Sequence, residues 1–229
     1  MNAHKNIIIF MKAIILAAGK GIRMYPLTFE IPKPLLKWKD KTLLEHAIDV
    51  LPDEVDEIII VVGYMEDKIR RFFENINICK KITFISQNEI TGTAPALMLC
   101  KDKIKNEKFI LMYADDIHDK VAVKHLLYYD LALLTMTIED PRMFGVVLKD
   151  EEGNVTDIEE KPQNPKSNEV AVGVYLLDDR IFDFFDDKHR NSKEYYLTEM
   201  IAELIHHHKV HAVPTPFWKK VTTPKDLEG

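Results

Sequence analysis

Cysteine, excess positive charge and long apolar stretches are all scarce in this chain, and each shortage excludes something. Only Cys79 and Cys100 are present in 229 residues. Two cysteines cannot build the disulfide framework of a secreted domain, so reduced thiols and a cytoplasmic location are expected. Lys and Arg total 31 against 37 Asp and Glu, a net charge of −6. A nucleic-acid polymer is met by clustered excess cations, so it is not expected as a partner; a single nucleotide needs only a few local ones. The apolar patch Ile7, Ile8, Ile9 and Phe10 is too short to span a bilayer and lacks a signal-peptide cleavage site, so no membrane partner is expected. Repeats and low-complexity tracts are also absent. What remains, with 46% apolar and 30% charged residues, is a globular chain large enough to bury a core.

Strand and helix signals alternate through the first half. Short apolar runs at 12–17, 57–62, 82–86 and 109–113 read as buried strands. Between them, 42–51, 66–74 and 94–101 carry helical spacing. Such alternation builds right-handed βαβ units, so the fold expected is α/β: a Rossmann-like mixed, mainly parallel sheet with helices on both faces. After about residue 130 the texture changes to closely spaced strands at 131–138, 145–149, 155–160 and 170–176, with helices at 181–185 and 197–206. We read these strands as extending the sheet and covering a second substrate. The division expected is an extension at 1–10 and one domain at 11–229, with halves at 11–130 and 131–229. Met11 is read as the functional start. His206, His207 and His208 sit at a helix end, where solvated imidazoles are expected rather than a metal site.

The most informative segment is 11–34, MKAIILAAGKGIRMYPLTFEIPKP. A strand leads into a turn whose Gly19 and Gly21 leave backbone N–H groups free to approach an anion. Arg23 and Lys33 bring two cations to the same mouth. The three-glycine dinucleotide fingerprint fails at Met24, and no Gly-Lys-Ser/Thr end completes a Walker loop. Further on, Asp115 and Asp116 end a strand, as a divalent cation beside phosphates requires; Asp115 is read as the ligand, with Asp116 capping the next helix or supporting the ligand from behind. Gln87 precedes Thr91-Gly92-Thr93-Ala94, and its amide offers donor and acceptor together to a base edge. Phe144-Gly145-Val146-Val147 and Ile158-Glu159-Glu160-Lys161-Pro162 pair a glycine backbone with a carboxylate and an ammonium.

The pattern Ala-Ala-Gly-x-Gly-x-Arg-Met-x-Pro-Leu-Thr, followed by Lys33 within Pro-Lys-Pro, resembles the signature of the sugar-1-phosphate nucleotidyltransferases. That family contains glucose-1-phosphate thymidylyltransferases and the uridylyltransferase domain of the bifunctional N-acetylglucosamine-1-phosphate enzyme. The resemblance implies nucleotidyl transfer from a nucleoside triphosphate, UTP or dTTP favoured, to a sugar 1-phosphate, with release of pyrophosphate. It implies Arg23 and Lys33 as catalytic cations; Leu16, Ala17, Gly19, Gly21, Gln87, Gly92 and Thr93 around the nucleotide; Gly145, Glu160 and Lys161 around the sugar phosphate; and Asp115 as ligand to Mg²⁺. Glu159 could stand in for Glu160. Relatives are often dimers or tetramers, so self-association is an expectation.

Three departures accompany the likeness. Glu194-Tyr195-Tyr196-Leu197-Thr198-Glu199 is similar to the N-acetylglucosamine branch, but Ala171 stands where that branch has an asparagine for its sugar. Trp218-Lys219-Lys220-Val221-Thr222-Thr223-Pro224 puts Lys220 where the family has a second metal-ligating aspartate. The chain stops soon after, without β-helix repeats, so the bifunctional form is not expected. Two other functions stay open: transfer to a non-sugar phosphate, and a non-catalytic binder of sugar nucleotides.

Overall fold

The structure, a computed structural model, describes residues 10–186 and 195–228. The proposed extension therefore lies outside the described residues except for exposed Phe10, as does Glu194. The first half alternates as expected: β1 (Met11–Leu16), a loop that ends in the small hairpin β2 (Lys37–Trp38) and β3 (Lys41–Thr42), α1 (Leu43–Asp49), β4 (Val55–Val62), α2 (Glu66–Glu74), β5 (Lys81–Ser86), α3 (Thr93–Met98) and β6 (Lys108–Tyr113). Then come β7 (Asp116–His118), α4 (Lys120–His125), β8 (Ala132–Thr137), β9 (Gly145–Lys149), β10 (Val155–Glu160), β11 (Glu169–Asp178), α5 (Leu197–His207), β12 (His211–Pro214) and β13 (Trp218–Lys220).

Helix α1 begins where its sequence dictates. Thr42 Oγ1 accepts from the Glu45 N–H at 3.1 Å, and the Glu45 carboxylate accepts from the Thr42 N–H at 2.7 Å. This reciprocal pair satisfies two N–H groups that a helix start otherwise leaves without partners. The 181–185 segment, expected as an α-helix, is instead a 3-10 turn spanning Asp179–Phe184. The Asp178 carboxylate accepts from the Arg180 N–H at 3.1 Å and tightens the chain as it leaves β11.

Strands β5, β4, β1 and β6 are parallel neighbours. Next comes β11, antiparallel to β6 and to β8. Strand β12 then runs parallel to β8. Strand β11 thus runs against its neighbours within a mainly parallel sheet, and the antiparallel β9–β10 hairpin joins through Val146 opposite Val170, with β10 the second reversed strand. Alternation along β1 feeds two cores. Ile14 and Leu16 pack with Leu97 of α3 and Leu204 of α5; Ala13 and Ile15 pack with Leu44 of α1 and Ile69 of α2. Helices therefore cover both faces, which is why the strands are apolar throughout rather than alternating with polar residues. Among the described residues no helix is long and apolar enough to cross a membrane.

His118 in β7 is buried with neither ring nitrogen hydrogen-bonded. Burial lowers its pKa from 6.5 to about 4, against a small opposing pull from Asp115. The folded chain keeps the ring neutral while the unfolded chain takes up a proton below 6.5. This group's contribution is thus present above pH 6.5 and lost as pH falls toward 4. A pKa difference of this size corresponds to at most about 3 kcal/mol. Denaturant unfolding of wild type and His118→Leu at pH 7.5 and pH 4.5 checks this. The wild type should lose more stability between the two pH values than the variant does.

Candidate active site

Parallel strands of an open α/β sheet present their carboxyl ends to one crevice. Here the ends of β1, β5 and β6 deliver the Gly19 loop, Gln87 and Asp115. Leu16 and Ala17 form the buried floor, their backbone tied to neighbouring strands: Ala17 N–H donates to Val61 at 2.8 Å, and the Leu16 carbonyl accepts from Ala114 at 3.1 Å. Gly19 faces open space, with nothing within 4 Å of where a Cβ would stand.

Gly21 has a different task. Its φ is +60°, and a Cβ there would come within 2.9 Å of the Lys33 Cβ. The glycine lets the returning chain place Lys33 against the turn. Thr28 holds that turn closed, its hydroxyl donating to the Gly21 carbonyl at 2.9 Å, while the Tyr64 hydroxyl donates to the Thr28 carbonyl at 2.9 Å. Met24 and Leu36 pin the loop by packing with Leu43, Ile117 and Val221.

Lys33 is buried, and its ammonium donates to the Asp115 carboxylate at 2.5 Å. Burial pushes the Asp115 carboxyl upward, but Lys33, then Lys220 and Arg23, outweigh it and hold Asp115 ionised below its usual range. Arg23 itself is exposed and has no ion pair among the described residues. Asp116 is not a helix cap; that role belongs to Asp119, which accepts from the Ala122 N–H at 2.8 Å. Instead Asp116 lies in β7, where its carboxylate accepts from Trp218 Nε1 at 3.1 Å and from the Val221 N–H at 3.3 Å. Burial, with the neighbouring Asp115 charge, pushes its pKa up to about 7. One aspartate thus faces the crevice and the other anchors the C-terminal strand β13.

Gln87 is buried, and its amide donates to the Gly92 carbonyl at 3.2 Å, leaving its oxygen and a second N–H for a ligand. Gly92 has φ +128°, and a Cβ would fall 2.2 Å from the Tyr195 carbonyl oxygen. Its bareness therefore serves contact with Tyr195. Thr93 Oγ1 accepts from the Leu197 N–H at 2.8 Å, which joins the start of α3 to the start of α5. From α5, the Thr198 hydroxyl donates to the Glu160 carboxylate at 2.8 Å, and Gly145 packs against Thr198 and Glu160. Lys161 lies 3.4 Å from Glu160, with its ammonium 4.0 Å from the centre of the Tyr196 ring. Burial pulls its pKa down, but Tyr196 and Glu160 prevail and keep the ammonium charged. Strand alternation turns Glu159 to solvent, so Glu160 is the carboxylate on this side.

Tyr113, which sequence reasoning treated only as the end of a strand, stands between the halves. Its ring lies over Gly173, where a Cβ would come within 2.6 Å, and packs edge-on against Tyr175. Burial and then the Glu160 charge raise its phenol pKa. A signal existed in Tyr113-Ala114-Asp115: a polar-tipped aromatic just ahead of the strand-end carboxylate.

Residues 12–228 match the family model for nucleotidyl transferases. The chain belongs to the nucleotidyl transferase family. It is 37% identical over 219 residues to a bifunctional protein GlmU from Methanocaldococcus jannaschii, covering 95% of this chain and 52% of that protein. The chain spans about half the length of the GlmU relatives it matches. To the UTP–glucose-1-phosphate uridylyltransferase AglF of Haloferax volcanii it is 33% identical over 204 residues, 85% of this chain and 84% of that one. The crystal structure of a candidate glucose-1-phosphate thymidylyltransferase from Bacillus anthracis, in complex with a sucrose, superposes with TM-score 0.85 at 26% identity, covering 95% of this chain and 92% of that one. The α/β fold expected from sequence is thereby borne out.

Replacing Gly21 by Ala should disturb Lys33 while sparing the cores. We expect nucleoside triphosphate affinity to fall at least about tenfold, one charge-assisted hydrogen bond's worth. Calorimetric titration of Gly21→Ala alongside a thermal melt reads both quantities.

Proposed function

We propose that this chain transfers a nucleotidyl group from UTP or dTTP to a sugar 1-phosphate, releasing pyrophosphate and forming a nucleoside diphosphate sugar. The observation that carries the reading is the Lys33–Asp115 pair at the carboxyl end of the parallel strands, with a second carboxylate–ammonium pair, Glu160 and Lys161, in the other half. Lys33 pairs with Asp115, and Glu160, beside Lys161, is tied through Thr198 to the start of α5, whose Leu197 N–H donates to Thr93. AglF, a UTP–glucose-1-phosphate uridylyltransferase, and the structural neighbour, a candidate glucose-1-phosphate thymidylyltransferase, support the same substrate class.

In this reading an oxygen of the sugar phosphate attacks the α-phosphorus in line. A new P–O bond forms as the bond from the α-phosphorus to the bridging oxygen of pyrophosphate breaks. The chain holds both reactants and neutralises charge rather than forming covalent bonds. Arg23, with no ion pair among the described residues, is free to grip the departing pyrophosphate bidentately. Lys33 exchanges Asp115 for phosphate oxygen. Lys161 binds the sugar phosphate and Glu160 accepts sugar hydroxyls. Gln87 presents its remaining amide atoms to the base.

Asp115 fits a divalent ion of the Mg²⁺ kind that arrives with the triphosphate, because such ions take one or two carboxylates and complete their shell with phosphates and water. Asp116 has both oxygens engaged by β13, and among the described residues no group of three His, Cys, Asp or Glu side chains gathers to hold a metal. When bound, the ion would offset phosphate charge. A cytosolic setting is part of the proposal, in keeping with two unpaired cysteines.

Pyrophosphate release measured with four nucleoside triphosphates against a panel of sugar 1-phosphates tests the reading. Turnover with UTP or dTTP is expected, and Arg23→Ala and Lys33→Ala should each lower kcat by about a hundredfold or more. Triphosphate binding without turnover on any pair would contradict it.

A further inference from the structure

Lys220 lies in β13 opposite Asp116, so this three-residue strand, held by Trp218 and Val221 on the Asp116 carboxylate, carries it to the edge of the crevice. Its ammonium sits 4.3 Å from the centre of the Phe144 ring and 5.8 Å from that of Trp218. The aromatic faces fix the position of the charge without using its three N–H donors. Among the described residues no carboxylate lies within ion-pair distance, 4.0 Å, of this half-buried ammonium. It nonetheless shares the field of Asp115, Asp116, Arg23 and Lys33. Arg23 and Lys220 therefore add their charge to that of Lys33 at Asp115, whose ion-pair partner among the described residues is Lys33. A half-buried ammonium without an acceptor is costly unless something anionic completes it.

We propose that Lys220 is a phosphate-binding residue: its ammonium engages the phosphate chain of the triphosphate beside Asp115, as a third cation with Arg23 and Lys33. This deepens the proposed function and rests on it. At this position the chain supplies positive charge directly, so triphosphate binding should persist without a divalent ion.

Inorganic triphosphate, titrated calorimetrically into the full chain in EDTA, tests the assignment free of any question about the base. Wild type should bind. Lys220→Gln should weaken binding about tenfold or more, the scale of a hydrogen bond to a charged group, whereas Lys220→Arg should stay within about threefold. Lys220→Met keeps the stem over the Phe144 ring and serves in place of Lys220→Gln if that variant melts early. Arg23→Ala separates the two levels of the claim. If Arg23→Ala loses binding while Lys220→Gln and Lys220→Met match wild type, the nucleotide site stands and the role of Lys220 is overturned. If neither substitution alters binding, or wild type itself does not bind, the phosphate site falls and the proposal with it. Equal loss in Lys220→Gln and Lys220→Arg would mark the residue as structural and also overturn it.

Discussion

Lys33 and Asp115 are separated by 82 positions in the chain, yet their ammonium and carboxylate meet at 2.5 Å. A buried ammonium requires a partner, because an uncompensated charge in low dielectric is strongly destabilising. Much of the surrounding architecture serves this meeting. Gly21 must lack a side chain for Lys33 to come in, Thr28 must close the turn, and Met24 and Leu36 must pin the loop onto Ile117 and Val221. The pair holds Lys33 folded in; in the proposed function an incoming phosphate displaces Asp115 from it.

Topology explains why two distant halves form one crevice. The parallel strands β1, β4, β5 and β6 point their carboxyl ends the same way, while antiparallel β11 returns beside β6 and brings Gly173 under the Tyr113 ring. Helix α5 then closes the circuit. Its first N–H binds Thr93 from one half and its Thr198 binds Glu160 from the other. Contact between the two halves is thus built into the helix start, and neither Gly92 nor Gly145 could carry a side chain without pushing against the residues that open it.

The repetitive part of this design was legible in the sequence. Apolar runs bounded by glycine and proline gave β1, β4, β5 and β6 nearly to the residue, because burial on both faces writes a continuous signal. The short elements left no such trace. Strand β13, Trp-Lys-Lys, has no apolar alternation, and β7, Asp-Ile-His, holds its place through Trp218 and Val221 from over a hundred residues away. Asp116 was misplaced for the same reason: as one letter it reads as a helix cap, and only its distant partners reveal a strand anchor. The layout of the candidate site was legible where spacing is local, as in Gly19 to Lys33. Tyr113 was not, since its role depends on Gly173 and Glu160 arriving from other strands. The resemblance placed Gly92 around the nucleotide, whereas its nearest neighbour in the fold is the Tyr195 backbone.

The account depends on one crevice receiving both substrates around the Lys33–Asp115 pair. A crystal structure of the chain with a non-hydrolysable UTP analogue and glucose 1-phosphate tests that most directly. The triphosphate should lie over the Gly19 turn with Lys33 drawn from Asp115 onto phosphate oxygen, and the sugar phosphate should lie against Glu160 and Lys161. A nucleotide bound away from this turn, or one bound there with the sugar phosphate elsewhere, would contradict it.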